Sequence, residues 1–324
     1  MSIAGREKTE NGTFDFPYMK PPTKTTWETI KTALWNPDTK EVFGRTGKNW
    51  AQLLLFYTIF YAILAAFFAI CMKGLLATLN DKSPRWTLDS SIIGTNPGIG
   101  FRPISNQTEE GSLIWFDSKN NTSIQKWVKL LDQFFDAYKK KVEVNKQNQV
   151  NCDFDRPPQN GQVCTVDLDS FGPCSPTNEY GYNSSSPCVF LKLNKIYGWQ
   201  PEYYSDPDNL PDDMPSDLVE YIKNNANSKE KLKQVWISCY GEFPADKENI
   251  FTFEYYPTRG FPSYFYPYTN EPGYLSPLIA VKLNNPKPNV LINIECRAWA
   301  KNINYRSSNL QREGSIHFEL MRDV

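Results

Sequence analysis

Histidine is nearly absent from this sequence: the 324 residues contain one, His317. An imidazole relay or a His-bearing zinc centre therefore has no material, and the seven cysteines include no Cys-x-x-Cys spacing that would supply zinc without histidine. His317 stands between Ile316 and Phe318 in an alternating stretch, which places it on the face opposite the buried set rather than in a catalytic pair. An excess of either charge is also lacking. Thirty-five Lys and Arg stand against 36 Asp and Glu, giving a formal charge of −1 with the bases scattered, so the electrostatic footprint of nucleic-acid binding is missing. Nucleotide loops are absent as well. Gly44-Arg45-Thr46-Gly47-Lys48-Asn49 has its first glycine at the wrong spacing and Asn49 where a hydroxyl would hold Mg²⁺, and Gly98-Ile99-Gly100 breaks at Phe101-Arg102-Pro103. No catalytic residue, cofactor or metal is expected.

Long hydrophobic runs are lacking too, with one exception. Residues 51–72, AQLLLFYTIFYAILAAFFAICM, carry no charge, and as a helix they cover roughly 33 Å against a hydrocarbon core of about 30 Å. Some fifty mostly polar residues precede the run and no small-residue cleavage site follows, so an uncleaved signal anchor over 50–72 is expected rather than a signal peptide. Flanking charge orients it weakly: Lys31, Lys40, Arg45 and Lys48 lie before it, Lys73, Lys82 and Arg85 after. Cysteines and sequons orient it better. Cys152, Cys164, Cys174, Cys188, Cys239 and Cys296 all follow the span, an even set suited to an oxidising compartment, while Cys71 lies within it. The sequons at Asn106, Asn120, Asn121 and Asn183 also follow it, and Asn11 alone precedes it. The expected layout is a cytosolic tail (1–49), the span, an irregular stalk (73–103) rich in turn signals, and a disulfide-braced, glycosylated ectodomain (104–324).

Aromatics at 15% and 24 prolines suit strands and turns more than a helical bundle. Alternation at Ile279, Val281 and Leu283, at Val290, Ile292, Ile294 and Cys296, and at Ile316, Phe318 and Leu320 predicts half-buried strands. Ile124, Trp127, Val128, Leu131, Phe134, Phe135 and Tyr138 predict one amphipathic helix packed on the sheet. The fold class is therefore a single transmembrane helix plus a mainly β ectodomain, an immunoglobulin-like sandwich with a packed helix. The likeness is architectural, since Ile294 stands where an immunoglobulin domain has its tyrosine two residues before the second cysteine. Six cysteines allow fifteen pairings, of which the nearest-neighbour set, 152 with 164, 174 with 188 and 239 with 296, gives two short loops and one long one and is favoured. Asp153-x-Asp155, Asp167-x-Asp169 and Asp206-x-Asp208 are the pairs a metal-dependent type II glycosyltransferase would need, yet their setting among cysteines and prolines fits solvated turns better.

Within the span, Phe56, Tyr57, Phe60, Tyr61, Leu64 and Phe68 recur at helical spacing, and Ala62, Ala65, Ala66 and Ala69 form a small-residue strip where another backbone can approach. A phenol at mid-membrane wants a partner that lipid tails lack. Trp35-Asn36-Pro37-Asp38-Thr39-Lys40-Glu41-Val42-Phe43-Gly44-Arg45-Thr46-Gly47, running on to Leu55-Phe56-Tyr57-Thr58-Ile59-Phe60-Tyr61, closely resembles the beta subunit family of the sodium/potassium-transporting ATPase. So do Asn96-Pro97-Gly98-Ile99-Gly100-Phe101-Arg102-Pro103, Tyr264-Phe265-Tyr266-Pro267-Tyr268, Tyr274-Leu275-Ser276-Pro277-Leu278-Ile279-Ala280-Val281 and the six cysteines.

The resemblance implies a non-catalytic, single-pass type II subunit of the plasma membrane. It would assemble with a catalytic alpha subunit, help deliver it to the surface and tune its potassium affinity, with membrane lipid and a small single-span regulatory subunit as further partners. It also implies that Tyr57 and Tyr61 meet an alpha membrane helix, that Phe265, Tyr266, Pro267 and Tyr268 meet an extracellular alpha loop, and that disulfides join sequence neighbours. The chain departs from the family pattern at Thr269, Asn270 and Glu271. A glycosyltransferase and a free-standing adhesion glycoprotein are the competing readings.

Overall fold

An uncharged run of this length satisfies its backbone only as a helix, and the run forms one. The computed structural model describes residues 25–37, 39–144, 147–225, 228–250, 252–308 and 311–324, so the Asn11 sequon, Asp38 and the first 24 residues of the expected tail lie outside it. Contacts divide the chain after Leu79 into two units.

In the first unit, helix α1 (Thr26–Leu34) leads into three two-residue strands, β1 (Trp35–Asn36), β2 (Glu41–Val42) and β3 (Arg45–Thr46), paired antiparallel in that order. Gly44, at φ +69°, makes the tight reversal between β2 and β3. Helix α2 (Gly47–Leu76) then runs for 30 residues, none of them buried within the chain. It extends past the expected 50–72 on both sides; at the carboxyl end Leu75 and Leu76 continue the apolar run beyond Lys73, and the Ala77 amide closes on the Lys73 carbonyl at 2.9 Å.

Residues 73–103 are not an irregular stalk throughout: their first residues belong to α2, and Ile99–Arg102 forms strand β4. The reason is tertiary: β4 pairs with the distant β8 (Cys188–Leu193), Ile99 and Phe101 are both buried, and Phe101 stacks on Phe318 at 5.2 Å.

The second unit, Asn80–Val324, is built around two sheets. Later strands are β5 (Leu113–Asp117), β6 (Gln149–Val150), β7 (Val163–Cys164), β8 (Cys188–Leu193), β9 (Gln234–Gly241), β10 (Thr252–Tyr256), β11 (Gly260–Pro262), β12 (Ile279–Asn284), β13 (Leu291–Trp299) and β14 (Ser315–Asp323). One sheet has the order β10-β12-β8-β4, the other β11-β9-β13-β14-β5, and β6 pairs separately with β7. Between the two sheets lies the main core, where Val189, Leu191, Val281, Ile292, Ile294 and Phe318 are buried. The parallel pairing of β14 with β5 departs from an immunoglobulin plan, in which the sheets are antiparallel.

Helix α3 (Asn121–Val144) covers the expected 123–141 segment, and Ile124, Trp127, Val128, Leu131, Phe135 and Tyr138 face inward as their spacing predicts. Phe135 packs against Tyr180, Phe190 and Phe171, and the Trp127 indole donates to the Trp115 carbonyl at 2.7 Å. Phe134 is only half-buried.

Strict alternation fails in β13, where Glu295 is buried beside Ile294 and Cys296, because the outer face of the five-stranded sheet is covered too. Helix α4 (Ser216–Asn224) closes part of that face, burying Leu218 and Ile222 with Trp236 and Trp299. The rest is polar. Glu295, 2% exposed, accepts from Ser315 Oγ at 2.6 Å and Tyr240 Oη at 2.9 Å and pairs with Arg312 at 2.9 Å. Arg312 also pairs with Glu242 at 2.9 Å, and the lone His317 hydrogen-bonds to Glu242 through Nδ1. His317 is thus part of a structural charge cluster.

The disulfides join Cys152 to Cys164, Cys174 to Cys188 and Cys239 to Cys296, each cysteine to its neighbour in sequence. Cys239 and Cys296 stand directly opposite in the β9–β13 ladder, so the long-loop bridge ties two strands of one sheet rather than sheet to sheet. On the chain-entropy model its 57-residue separation is worth about 4 kcal/mol and the 12-residue one about 3. Serine at both 239 and 296 should lower stability in urea unfolding by more than serine at both 152 and 164; the reverse order would show that local packing, not loop closure, sets the effect.

Glu242 makes stability depend on acid. Burial opposes its ionisation, but hydrogen bonds from Arg312 and His317 outweigh it and hold the carboxyl below its ordinary value of 4.5. A depressed folded-state value gives a contribution that is complete above the ordinary value and is lost as pH falls through the lower one. Thermal unfolding of the wild-type chain should therefore lose stability on acidification below pH 4.5, with Glu242→Gln showing a shallower slope in that window; parallel curves would exclude Glu242 as a source.

Candidate functional site

The exposed aromatic face of α2 is the first candidate surface. Helical spacing brings Tyr57 and Tyr61 into a ring pair 6.0 Å apart and Phe56 and Phe60 into another at 6.1 Å, with Phe60 edge-on to Tyr61 at 5.4 Å. All four rings are exposed within this chain. Thr58, the other hydroxyl of the segment, donates back to the Leu54 carbonyl at 2.8 Å and so is satisfied inside the helix. The Tyr57 and Tyr61 phenols extend too far from the helix to make the same bond to its backbone.

The second candidate is the segment after β11. Ser263–Phe265 makes one 3₁₀ turn, and the chain then runs through Tyr266, Pro267 and Tyr268. Phe265 is 8% exposed and turned inward, whereas Tyr266, Pro267 and Tyr268 are half-buried and form the face of the segment. Three neighbours hold it. The Trp199 indole meets Tyr266 edge-on at 5.7 Å, the Tyr274 phenol donates to the Phe265 carbonyl at 3.2 Å, and the Gly198 amide donates to the Tyr268 carbonyl at 2.8 Å. Lys195 lies 5.0 Å from the Tyr268 ring and 4.9 Å from that of Tyr274, a cation shared between two π faces. Burial pushes the Tyr266 phenol well up, so it remains a neutral donor, and its hydroxyl has no partner among the described residues. Asn270 takes a positive φ of 60° and accepts from the Tyr268 hydroxyl at 2.8 Å, which places Thr269, Asn270 and Glu271 at the edge of the same face.

The Cys152–Cys164 loop supports this segment from one side. Phe154 packs edge-on to Tyr264 at 5.3 Å. A groove of about 450 Å³, lined by Pro157, Gln162, Pro267 and Glu271, and a cavity of about 650 Å³, lined by Asp153, Phe171, Pro257 and Leu278, both border that ring pair. Trp199 and Lys195 were not singled out by the sequence. The aromatic-glycine cluster Tyr197-Gly198-Trp199 was their only local sign.

The three carboxylate pairs are all exposed and bind their own backbone: Asp153 accepts from the Phe154 amide at 2.7 Å, Asp167 from Asp169 at 3.0 Å and Asp206 from Asp208 at 3.1 Å. Among the described residues, no three His, Cys, Asp or Glu side chains gather as a metal centre. All four asparagines of the sequons after the span are exposed, and Asn120 Oδ1 accepts the Thr122 amide at 3.0 Å at the start of α3. Peptide N-glycosidase treatment of the protein expressed in insect cells should raise its gel mobility, and Asn106→Gln, Asn121→Gln and Asn183→Gln should each remove one step where the site is used. No shift with the enzyme would leave all four bare.

Comparison with known proteins bears on these surfaces. Residues 20–318 match the family model described as the sodium/potassium ATPase beta chain. Over 316 residues, covering 98% of both chains, the sequence is 48% identical to sodium/potassium-transporting ATPase subunit beta-1 of Drosophila melanogaster, and over 310 residues it is 46% identical to that organism's beta-2, covering 94% of this chain and 95% of the relative. A probable beta-3 subunit of Caenorhabditis briggsae is 34% identical, covering 90% of this chain and 86% of its own length.

Proposed function

Because the chain belongs to the sodium/potassium ATPase beta chain family, we propose that it is the non-catalytic beta subunit of a sodium/potassium-transporting pump. In this role it docks on a multi-span alpha subunit that carries the ATP chemistry, assists its assembly and delivery to the plasma membrane, and tunes its potassium affinity. The observation that carries the docking role is the contrast in α2 between the self-satisfied Thr58 hydroxyl and the outward Tyr57 and Tyr61 phenols. In hydrocarbon an unpaired phenol is costly, and a polar group or closely packed backbone of a neighbouring helix relieves it. The alanines at 62, 65, 66 and 69 leave room for such a helix beside the rings.

Three disulfides and four exposed sequon asparagines in the carboxy-terminal unit support a type II orientation with that unit outside the cell, where oxidation and glycosylation act. The face made by Tyr266, Pro267 and Tyr268, with Phe265 as its inward anchor, is the second docking surface and meets an extracellular loop of alpha. Its rigidity favours the role: the rings are already ordered by Trp199, Tyr274 and Lys195, so little side-chain freedom is lost on binding. A small single-span regulatory subunit and annular lipid are the remaining partners of the span.

The test is co-purification in mild detergent. The wild-type chain should bring down a large multi-span ATPase, and purification always alone would overturn the proposal. Replacing Tyr57 and Tyr61 together with Leu keeps the helix apolar, so insertion should persist. At about 0.6 kcal/mol for each interhelical hydrogen bond, recovery of the complex should fall by roughly sevenfold. Unchanged recovery and unchanged potassium dependence of the pump would remove the phenols from the interface.

A further inference from the structure

Helix α1 carries an apolar face that no described residue of the chain covers. Trp27, Ile30 and Leu34 recur at spacings of three and four, so they lie on one side, while Glu28 and Thr32 lie on the other and Lys31 at the border. Trp27 is 75% exposed, Ile30 and Leu34 are exposed as well, and none of the three belongs to a buried cluster. Two more large apolar groups, Trp35 and Phe43 (64% exposed), project from the small sheet that follows.

The place of this face is fixed by the same unit that contains α2. Strand β1 continues directly from α1, and β3 leads directly into α2, with β2 between them. Two strand spacings separate β1 from β3, about 10 Å, and α1 itself is about 13.5 Å long, so all of α1 lies within about 25 Å of the start of the span. The sheet is also pinned to the first turn of α2, since the Trp50 indole donates to the Val42 carbonyl at 2.9 Å. Glu28 accepts the Thr25 amide at 3.1 Å and so anchors the start of α1.

We propose that α1 and the β1–β3 sheet form an interfacial clamp, with Trp27, Ile30, Leu34, Trp35 and Phe43 seated at the boundary between headgroups and acyl chains of the leaflet where α2 begins. A lipid surface fits the chemistry better than a protein groove. Two of the five groups are indoles, which favour the membrane–water boundary, and Lys31, Arg45 and Lys48 are long bases able to reach headgroup phosphates from the same segment. The clamp fixes the depth and tilt of α2, because a helix joined to a surface-bound element through a pinned sheet cannot slide along the bilayer normal without withdrawing its indoles. The inference rests on α2 crossing a bilayer and is independent of which side the amino terminus occupies.

The test places single spin labels along α1 in the full chain, co-purified with its pump and held in POPC nanodiscs. Cys71, the free cysteine, is first changed by Cys71→Ser. Trp27→Cys, Ile30→Cys and Leu34→Cys should collide more with oxygen than with a water-soluble nickel chelate, and Glu28→Cys and Thr32→Cys should show the reverse, tracing a helical period. Adding Trp27→Glu to Ile30→Cys should abolish the oxygen preference at 30. Nickel access equal at all five positions would overturn the clamp, and so would protection from both reagents at 27, 30 and 34, which would mean a protein surface covers them. A label at Ile63, in mid-span, separates the two readings: nickel access there would remove the span itself, whereas oxygen access there with a wet α1 would remove only the clamp.

Discussion

Strand β13 is covered on both faces, and that constraint organises the carboxy-terminal unit. Its inward residues Ile292, Ile294 and Cys296 complete the core between the sheets, while Glu295 turns the other way into a setting that is just as closed. A buried carboxylate without partners would be severely destabilising. Here Ser315, Tyr240 and Arg312 satisfy it, and Arg312 extends the network to Glu242 and His317. Tyr305, Ser307 and Arg312, which lie between β13 and β14 in the chain, are thereby tied to the strand that carries Glu295. Because β9 and β13 are further joined by Cys239–Cys296, the middle of the five-stranded sheet is held by ladder, disulfide and ion network together.

From that base the unit presents an aromatic face made by Tyr266, Pro267 and Tyr268. Tyr266 and Tyr268 are held by Trp199, Lys195 and Tyr274, and the Cys152–Cys164 loop supports them through Phe154 and Tyr264. The aspartates that could have signalled metal chemistry are engaged in local turns. In the first unit the same distinction holds in a different solvent. Thr58 satisfies itself within α2, whereas Tyr57 and Tyr61 present polar groups outward from it. Both surfaces suit a protein whose work is to hold another in place.

The sequence by itself determined the elements whose signal is local and periodic. Charge-free length specifies α2, since no other structure satisfies its backbone in hydrocarbon. Spacing of three and four specifies α3 and its inward face, and period two specifies the inner residues of β12, β13 and β14. The aromatic face of the span was legible for the same reason, and the turn role of the aspartate pairs from their setting among cysteines and prolines. Family resemblance supplied the 264–268 segment, which has no periodicity of its own.

Tertiary structure decided what depends on pairs of residues far apart in sequence. Nothing local announces that β5 lies parallel to β14, that Ile99–Arg102 leaves the connecting segment to join a sheet, or that Glu295 is buried amid an apolar alternation. Each follows from what packs on the other side: the register of a distant strand, the ring of Phe318, or the side chain of Arg312. Phe265 illustrates the limit within a recognised motif, because its inward direction is set by the 3₁₀ turn and by packing beneath it, not by its neighbours in the string. The disulfide pairing lay between these cases. Sequence proximity favoured it among fifteen choices, but only the β9–β13 register shows that the longest bridge joins strands already hydrogen-bonded to each other.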